Sequence, residues 1–122
     1  MKLKIIHLPG HTPGSIAVLD VSRRVLISGD PIQEHGRIFM FGPRRNMQHY
    51  IASLERLETM IADFDEIWPS HADLPLSPEC VRRLHDGALK ILNREISGEK
   101  ASLFGQEITV YDLGFTVFLC DE

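Results

Sequence analysis

Three short apolar runs, each cut off by a turn signal, crowd into the first thirty residues, and this punctuation constrains the fold more than any other feature of the chain. Lys2 to Leu8 is closed by Pro9-Gly10; Ser15 to Val21, with β-branched Ile16, Val18 and Val21, runs into Arg23-Arg24; Val25 to Ser28 stops at Gly29-Asp30-Pro31. Short runs rich in β-branched residues and bounded by Gly or Pro read as strands. Pro31 denies the third any further ladder donor. Arg37 to Phe41 reads as a fourth strand, followed at once by Gly42-Pro43.

From Asn46 the period changes. Met47, Tyr50, Ile51, Leu54, Leu57 and Ile61 recur at steps of three and four, the stripe of an amphipathic helix that Asn46 is suited to cap. Asp65 to Trp68 is a further short strand ending at Pro69. A second helix opens with Ser77 as N-cap and Pro78 at the first helical position, where no amide hydrogen is missed, and its apolar face is Val81, Leu84, Ala88, Ile91, Leu92 and Ile96. Gly98 is the predicted left-handed stop. Ile108 to Leu113 and Phe115 to Cys120 form a predicted hairpin around Gly114, and Ser97 to Gln106 is the one candidate linker. Interleaved strands and helices predict an α/β fold, helices packed on a mixed sheet. The 122 residues make one domain, 1–122, with 107–122 a candidate appended β-hairpin.

Apolar residues at 43% and charged residues at 25% are the proportions of a folding chain rather than a disordered one. Thirteen basic against seventeen acidic residues leave a formal charge of −4, so nucleic acid is not an expected partner. No apolar run reaches the roughly 20 residues of a membrane-spanning helix and no signal-peptide core precedes the first strand, so the expectation is a cytoplasmic protein without membrane contact. Cys80 and Cys120 share no metal or redox spacing and read as reduced, partly buried thiols.

Three metal-favouring residues each stand just past the C-terminal end of a predicted strand: His11, Asp30 and His71. If those strands run in a common direction, all three share one rim, where two imidazoles and a carboxylate suit zinc and also iron or manganese. Spacing alone leaves the alternative open. His11 would then decorate a Gly-Pro turn, Asp30 end a strand and His71 cap the loop before the second helix.

The words around these residues carry more. Gly10-His11-Thr12-Pro13-Gly14-Ser15, Ser28-Gly29-Asp30 and Pro69-Ser70-His71, in that order and with two strands and a helix interleaved, resemble the last three metal motifs of the metallo-β-lactamase superfamily, over roughly Leu3 to Ile96. The resemblance implies the C-terminal part of that family's αββα sandwich, its N-terminal half absent. It implies that His11 completes a first metal site, that Asp30 bridges two metals and carries the catalytic role, and that His71 binds the second. The implied cofactor is zinc, one or two ions in the complete site, with iron or manganese as alternatives. The implied function is hydrolysis of a small ester, thioester or lactam-like substrate by metal-bound hydroxide. Thr12 and Ser15 would orient the His11 loop, or serve only its turn.

The departure from the family is that its first motif, His-x-His-x-Asp-His, occurs nowhere in this sequence. Four ligands are therefore missing, and the chain by itself is expected to be weakly active or inactive. The competing class is a non-catalytic half-domain that binds or oligomerises, since the missing half would leave an apolar sheet face uncovered; a homodimer covering that face is the expected form. An oxygenase stays open because the same ligands accept iron. The remaining polar candidates read as structural or solvated: His35 in the loop after Asp30, His49 off the apolar stripe, His85 near the buried edge of the second helix, and the Arg44-Arg45 pair, with Arg37 nearby, in a turn.

Overall fold

The computed structural model describes residues 2–34, 37–41, 45–69 and 75–121. Two four-stranded sheets enclose one core with two helices. The first sheet has the order β1-β2-β3-β5, from β1 (Leu3–His7), β2 (Ile16–Asp20), β3 (Val25–Gly29) and β5 (Glu66–Pro69). The second has the order β4-β8-β7-β6, from β4 (Arg37–Met40), β6 (Glu99–Leu103), β7 (Gln106–Asp112) and β8 (Val117–Cys120). Helices α1 (Met47–Glu58) and α2 (Glu79–Leu92) supply much of the shared core, with Tyr50, Ile51, Leu54 and Leu57 from the first and Val81, Leu84, Ala88 and Ile91 from the second.

Strand direction decides where the candidate ligands stand. β1 is antiparallel to β2, and β2 to β3, so β1 and β3 run the same way; β3 is parallel to β5. The C-terminal ends of β1, β3 and β5 therefore lie on one rim, the condition that the sequence argument needed. The β2–β3 turn closes at Arg24, whose φ of 58° completes a tight connection.

Local signals explain most boundaries. The Asn46 side chain accepts a hydrogen bond from the His49 amide, 2.9 Å away, and caps α1. α1 ends at Glu58, so Ile61 lies in the short 3₁₀ turn Ile61–Asp63 rather than on the helix. α2 begins one residue later than expected, with Pro78 rather than Ser77 in the N-cap position; Ser77 Oγ accepts from the Glu79 amide at 3.3 Å, and Leu92, read as part of the apolar face, is exposed. His49 is exposed, and His85 lies between the helices with Nδ1 2.8 Å from a Glu58 carboxylate oxygen.

Two expectations are corrected. α2 does not continue to Ile96 and Gly98: it stops after Leu92, where Arg94 takes a φ of 59° and the amides of Arg94 and Glu95 return to the Ile91 and Lys90 carbonyls. Gly98 is needed instead for close packing, since a Cβ there would lie 2.4 Å from Thr109 Cγ2 and 2.9 Å from the Val110 carbonyl. The second correction is the linker. Ser97 to Gln106 contains edge strand β6, which pairs with β7 through a turn at Phe104 and Gly105, both at positive φ. β6 is almost wholly exposed and polar, so it leaves no hydrophobic alternation to read. β7 and β8 form the expected hairpin, and β8 pairs in parallel with β4, bringing Phe118 and Cys120 into the core.

One face of the first sheet is apolar yet open. Ile5, Val18, Ile27 and Trp68 are register partners across all four strands and share a face. Ile5 is 70% exposed, and Ile27 and Trp68 are each 51% exposed. Leu3 and Ile16 flank the row and are also exposed. Solvated apolar residues in a continuous row are unusual for a lone globular surface.

Candidate metal centre

α1 builds the rim. Its polar side chains and first amide grip the end of β1: Arg56 Nη1 donates to the His7 carbonyl at 2.6 Å, Ser53 Oγ to the Pro9 carbonyl at 2.7 Å, and the Asn46 amide to the Gly10 carbonyl at 2.8 Å. The buried Tyr50 hydroxyl donates to the Pro31 carbonyl at 2.6 Å, which ties the same helix to the segment after Asp30. The His11 loop and the Asp30 turn are thus held by one rigid element. Gly10 lets the helix approach this closely, with a φ of 132° and backbone atoms of Tyr50 where a side chain would stand.

Within the loop, Thr12 Oγ1 and Ser15 Oγ are 2.5 Å apart, the Leu8 amide donates to the Ser15 carbonyl at 2.7 Å, and His7 Nε2 donates to the Pro13 carbonyl at 2.7 Å. Thr12 and Ser15 therefore bond to one another across the turn.

His11 is half-buried, with Nδ1 2.8 Å from the Phe39 carbonyl of β4. A carbonyl only accepts, so Nδ1 carries the proton and Nε2 keeps its lone pair. Burial holds the His11 pKa below its ordinary value of 6.5; the Phe39 hydrogen bond opposes this, the Arg45 charge adds to it and the Asp30 charge opposes it. The ring is accordingly neutral at neutral pH, and it sits within reach of the Asp30 charge. Neutral imidazole with Nδ1–H tied to a carbonyl is the state in which histidine binds metals through Nε2. The donor chemistry of His11 and Asp30 thus fits a zinc-type ion.

Because the folded pKa is lowered, the unfolded chain takes up the proton first as pH falls. The stability that neutral His11 contributes is present above pH 6.5 and is lost as pH falls below it through the folded value. Thermal melts between pH 7.5 and roughly pH 5 are expected to show part of this acid loss in the parent and less of it in His11→Gln. Identical pH profiles for the two proteins would remove His11 as its source.

His71, His35 and Arg44 lie outside the described residues. Among the described residues no three His, Cys, Asp or Glu side chains form a metal-sized group. Asp30 also accepts at its backbone carbonyl from Gln33 Nε2, 3.0 Å away. Two participants were not anticipated. Arg45, read as half of a solvated turn, donates from Nη1 to the His11 carbonyl at 2.5 Å. The Phe39 carbonyl carried no signal at all, because a backbone acceptor has no residue type.

Cys80 and Cys120 are free and buried, and burial pushes each thiol up to about 12, so neither is a nucleophile or ready metal ligand at neutral pH. No helix among the described residues is long and apolar enough to cross a membrane.

Comparison with known proteins agrees with this geometry. The acyl-coenzyme A thioesterase MBLAC2 of Gallus gallus is 29% identical over 75 residues, 60% of this chain and 27% of that protein. Its Homo sapiens counterpart is 31% identical over 72 residues, 57% of this chain and 25% of that one. The chain thus spans about a quarter of the length of these curated relatives. Among solved structures, VMB-1 superposes with a TM-score of 0.62 at 15% identity, over 74% of this chain and 42% of that one. The metallo-beta-lactamase FIM-1 of Pseudomonas aeruginosa, in its mono-zinc form, gives a TM-score of 0.58 at 19% identity, over 73% of this chain and 40% of that one. A family model described as the metallo-beta-lactamase superfamily matches residues 2–71, a span that takes in His11 and Asp30 and ends on His71. With more than half of its length matched and its α/β fold shared, the chain belongs to the metallo-beta-lactamase superfamily.

Proposed function

We propose that this chain contributes one half of a metal-dependent hydrolase centre acting on a small ester, thioester or lactam-like substrate. The observation that carries the reading is His11, with its proton fixed on Nδ1 by the Phe39 carbonyl, Nε2 left to accept, and the Asp30 charge near enough to act on the ring. His11, Asp30 and His71 would hold the metal, zinc in the first instance and iron or manganese by the same donors, with Asp30 as the shared, catalytic carboxylate. When bound, the ion supplies Lewis-acid polarisation of a carbonyl and activation of water. The chain's own part is to keep imidazole neutral and aimed, through Phe39 and the grip of α1, and to place Asp30 against it.

Support for a thioester comes from the relatives named as acyl-coenzyme A thioesterases, and support for zinc from the mono-zinc neighbour. Since His-x-His-x-Asp-His does not occur in the sequence, turnover is proposed to require the polypeptide segment that brings it. A reducing, cytoplasmic setting belongs to the same proposal, supported by the two free cysteines. Elemental analysis of protein purified under zinc-replete conditions is the direct test. One zinc or iron ion per chain is expected, and a metal-free product would defeat the reading.

A second reading, an assembly module without catalysis, is favoured by the exposed Ile5–Val18–Ile27–Trp68 row. Here a second copy would cover the face as a homodimer. Sedimentation of a dimer that Ile27→Lys converts to monomer is its expected signature; a parent that sediments as a monomer removes it.

A further inference from the structure

A cavity of about 570 Å³, lined in part by Arg45, opens between the C-terminal end of α2 and the face of the second sheet. Its walls carry three cationic side chains, Arg45, Arg94 and Lys100, and among the described residues one carboxylate, Asp121, which accepts from Gln106 at 3.0 Å. Met40, Met47 and Ile91 supply an apolar wall, and Ser97 and Thr109 supply hydroxyls.

Two details separate this cavity from a chance gathering of surface cations. The first is Arg45, which lines the cavity and whose Nε, closed to solvent, has no hydrogen-bond acceptor among the described residues. A buried guanidinium N–H without a partner is costly, and such groups in folded proteins ordinarily await an acceptor. The second is Arg94, which holds the left-handed position ending α2, with a φ of 59°. Glycine occupies that place at lower energy, so the chain keeps a long cationic side chain on the cavity wall at a backbone cost. The gathering of Arg45, Arg94 and Lys100 on one wall, with Arg94 kept there at a backbone cost, favours an anionic oxygen.

From these observations we infer that the cavity binds the anionic arm, phosphate or carboxylate, of a small organic ligand. Its volume exceeds what an inorganic anion fills and matches pockets for small organic molecules. The apolar wall would take the uncharged body, while Arg45, Arg94 and Lys100 take the anion by charge-assisted hydrogen bonds. Arg45 also donates to the His11 carbonyl, so a ligand held here reaches toward the rim. Insofar as that ligand is the substrate, the inference rests on the hydrolase reading and names what its substrate carries.

Calorimetric titration in the presence of EDTA tests the cavity apart from any metal chemistry, with ADP as the phosphate probe, succinate as the carboxylate probe and adenosine as the uncharged control. Saturable binding of ADP or of succinate, weakened by added salt, is expected, and whichever binds tighter identifies the anion. Arg94→Gly and Lys100→Gln are each expected to weaken it roughly tenfold. Arg94→Gly is the informative variant, because glycine suits the left-handed position and the protein should unfold no earlier than the parent. Failure of both anions to bind, adenosine binding as well as ADP, or an Arg94→Gly protein that binds like the parent would each overturn the inference. None of these outcomes touches zinc content, so the two readings fail separately.

Discussion

Gly10→Ala is expected to destabilise the fold by about 3 kcal/mol or more, read as a lowered urea midpoint at unchanged slope. Two costs combine. A Cβ at this position would sit 2.3 Å from both Cα and N of Tyr50, which are backbone atoms of α1 and cannot swing aside as a side-chain end does. The φ of 132° is also one that L-residues rarely adopt, so the strain persists even if space is made. Relief requires α1 to move away from the end of β1. That motion breaks the bonds from the Asn46 amide to Gly10 and from Ser53 Oγ to Pro9, and it loosens Tyr50 from Pro31. Against a total stability on the order of 5–15 kcal/mol for a domain, the loss is a large fraction. The same change should impair metal binding, because the helix that yields is the one that positions both His11 and Asp30. A Gly10→Ala protein with the parent's midpoint would show that α1 does not set the rim.

Strands β1, β2 and β3 were legible because each is a short apolar run with β-branched residues that a turn cuts off, and the helices because Tyr50, Leu54 and Leu57, then Val81, Leu84 and Ala88, repeat at helical spacing. Their common direction followed only from pairing: β1 and β3 are parallel because β2 lies antiparallel between them, which composition does not state. β6 was hidden by its exposure, since an edge strand of Glu99, Lys100, Ala101 and Ser102 has no buried face to impose alternation. The end of α2 was misplaced because Arg94 adopts the conformation expected of glycine, while Gly98, the residue that looked like a stop, is small for a packing reason.

At the site, the motif words located His11 and Asp30 but not what fixes them. The acceptor for His11 is a main-chain carbonyl on β4, placed by the second sheet's attachment to the core through β8. The grip of α1 uses Ser53, a buried polar residue on the apolar stripe, and Arg56 beside it; Arg56 donates to the last carbonyl of β1 and Ser53 to the Pro9 carbonyl just past it. Polar residues in such roles look like ordinary helix surface until the neighbouring backbone is known.

His11→Ala and Asp30→Ala are each expected to lower zinc affinity on the order of 100-fold, and His49→Ala to leave it unchanged. The reasoning is one of donors. With two side chains of this rim and His71 as the chain's candidate ligands, removing one leaves too few groups to hold the ion against water, whereas His49 is exposed on α1 and contributes no side chain to the rim. Arg45→Gln should fall between, roughly tenfold, because it leaves every ligand in place and removes only the bond to the His11 carbonyl. Competition titration against a chromophoric zinc chelator at pH 7.5 resolves these steps, and circular dichroism confirms that each variant is folded. The ordering carries the content. Should Asp30→Ala bind zinc as His49→Ala does, Asp30 is a turn residue and the shared-carboxylate role is wrong; should His11→Ala do so, the proton that Phe39 fixes on Nδ1 serves only to hold β4 against the loop. A result in which Arg45→Gln exceeds both would mean that the guanidinium, by holding the His11 carbonyl, governs the loop's position more strongly than α1 does.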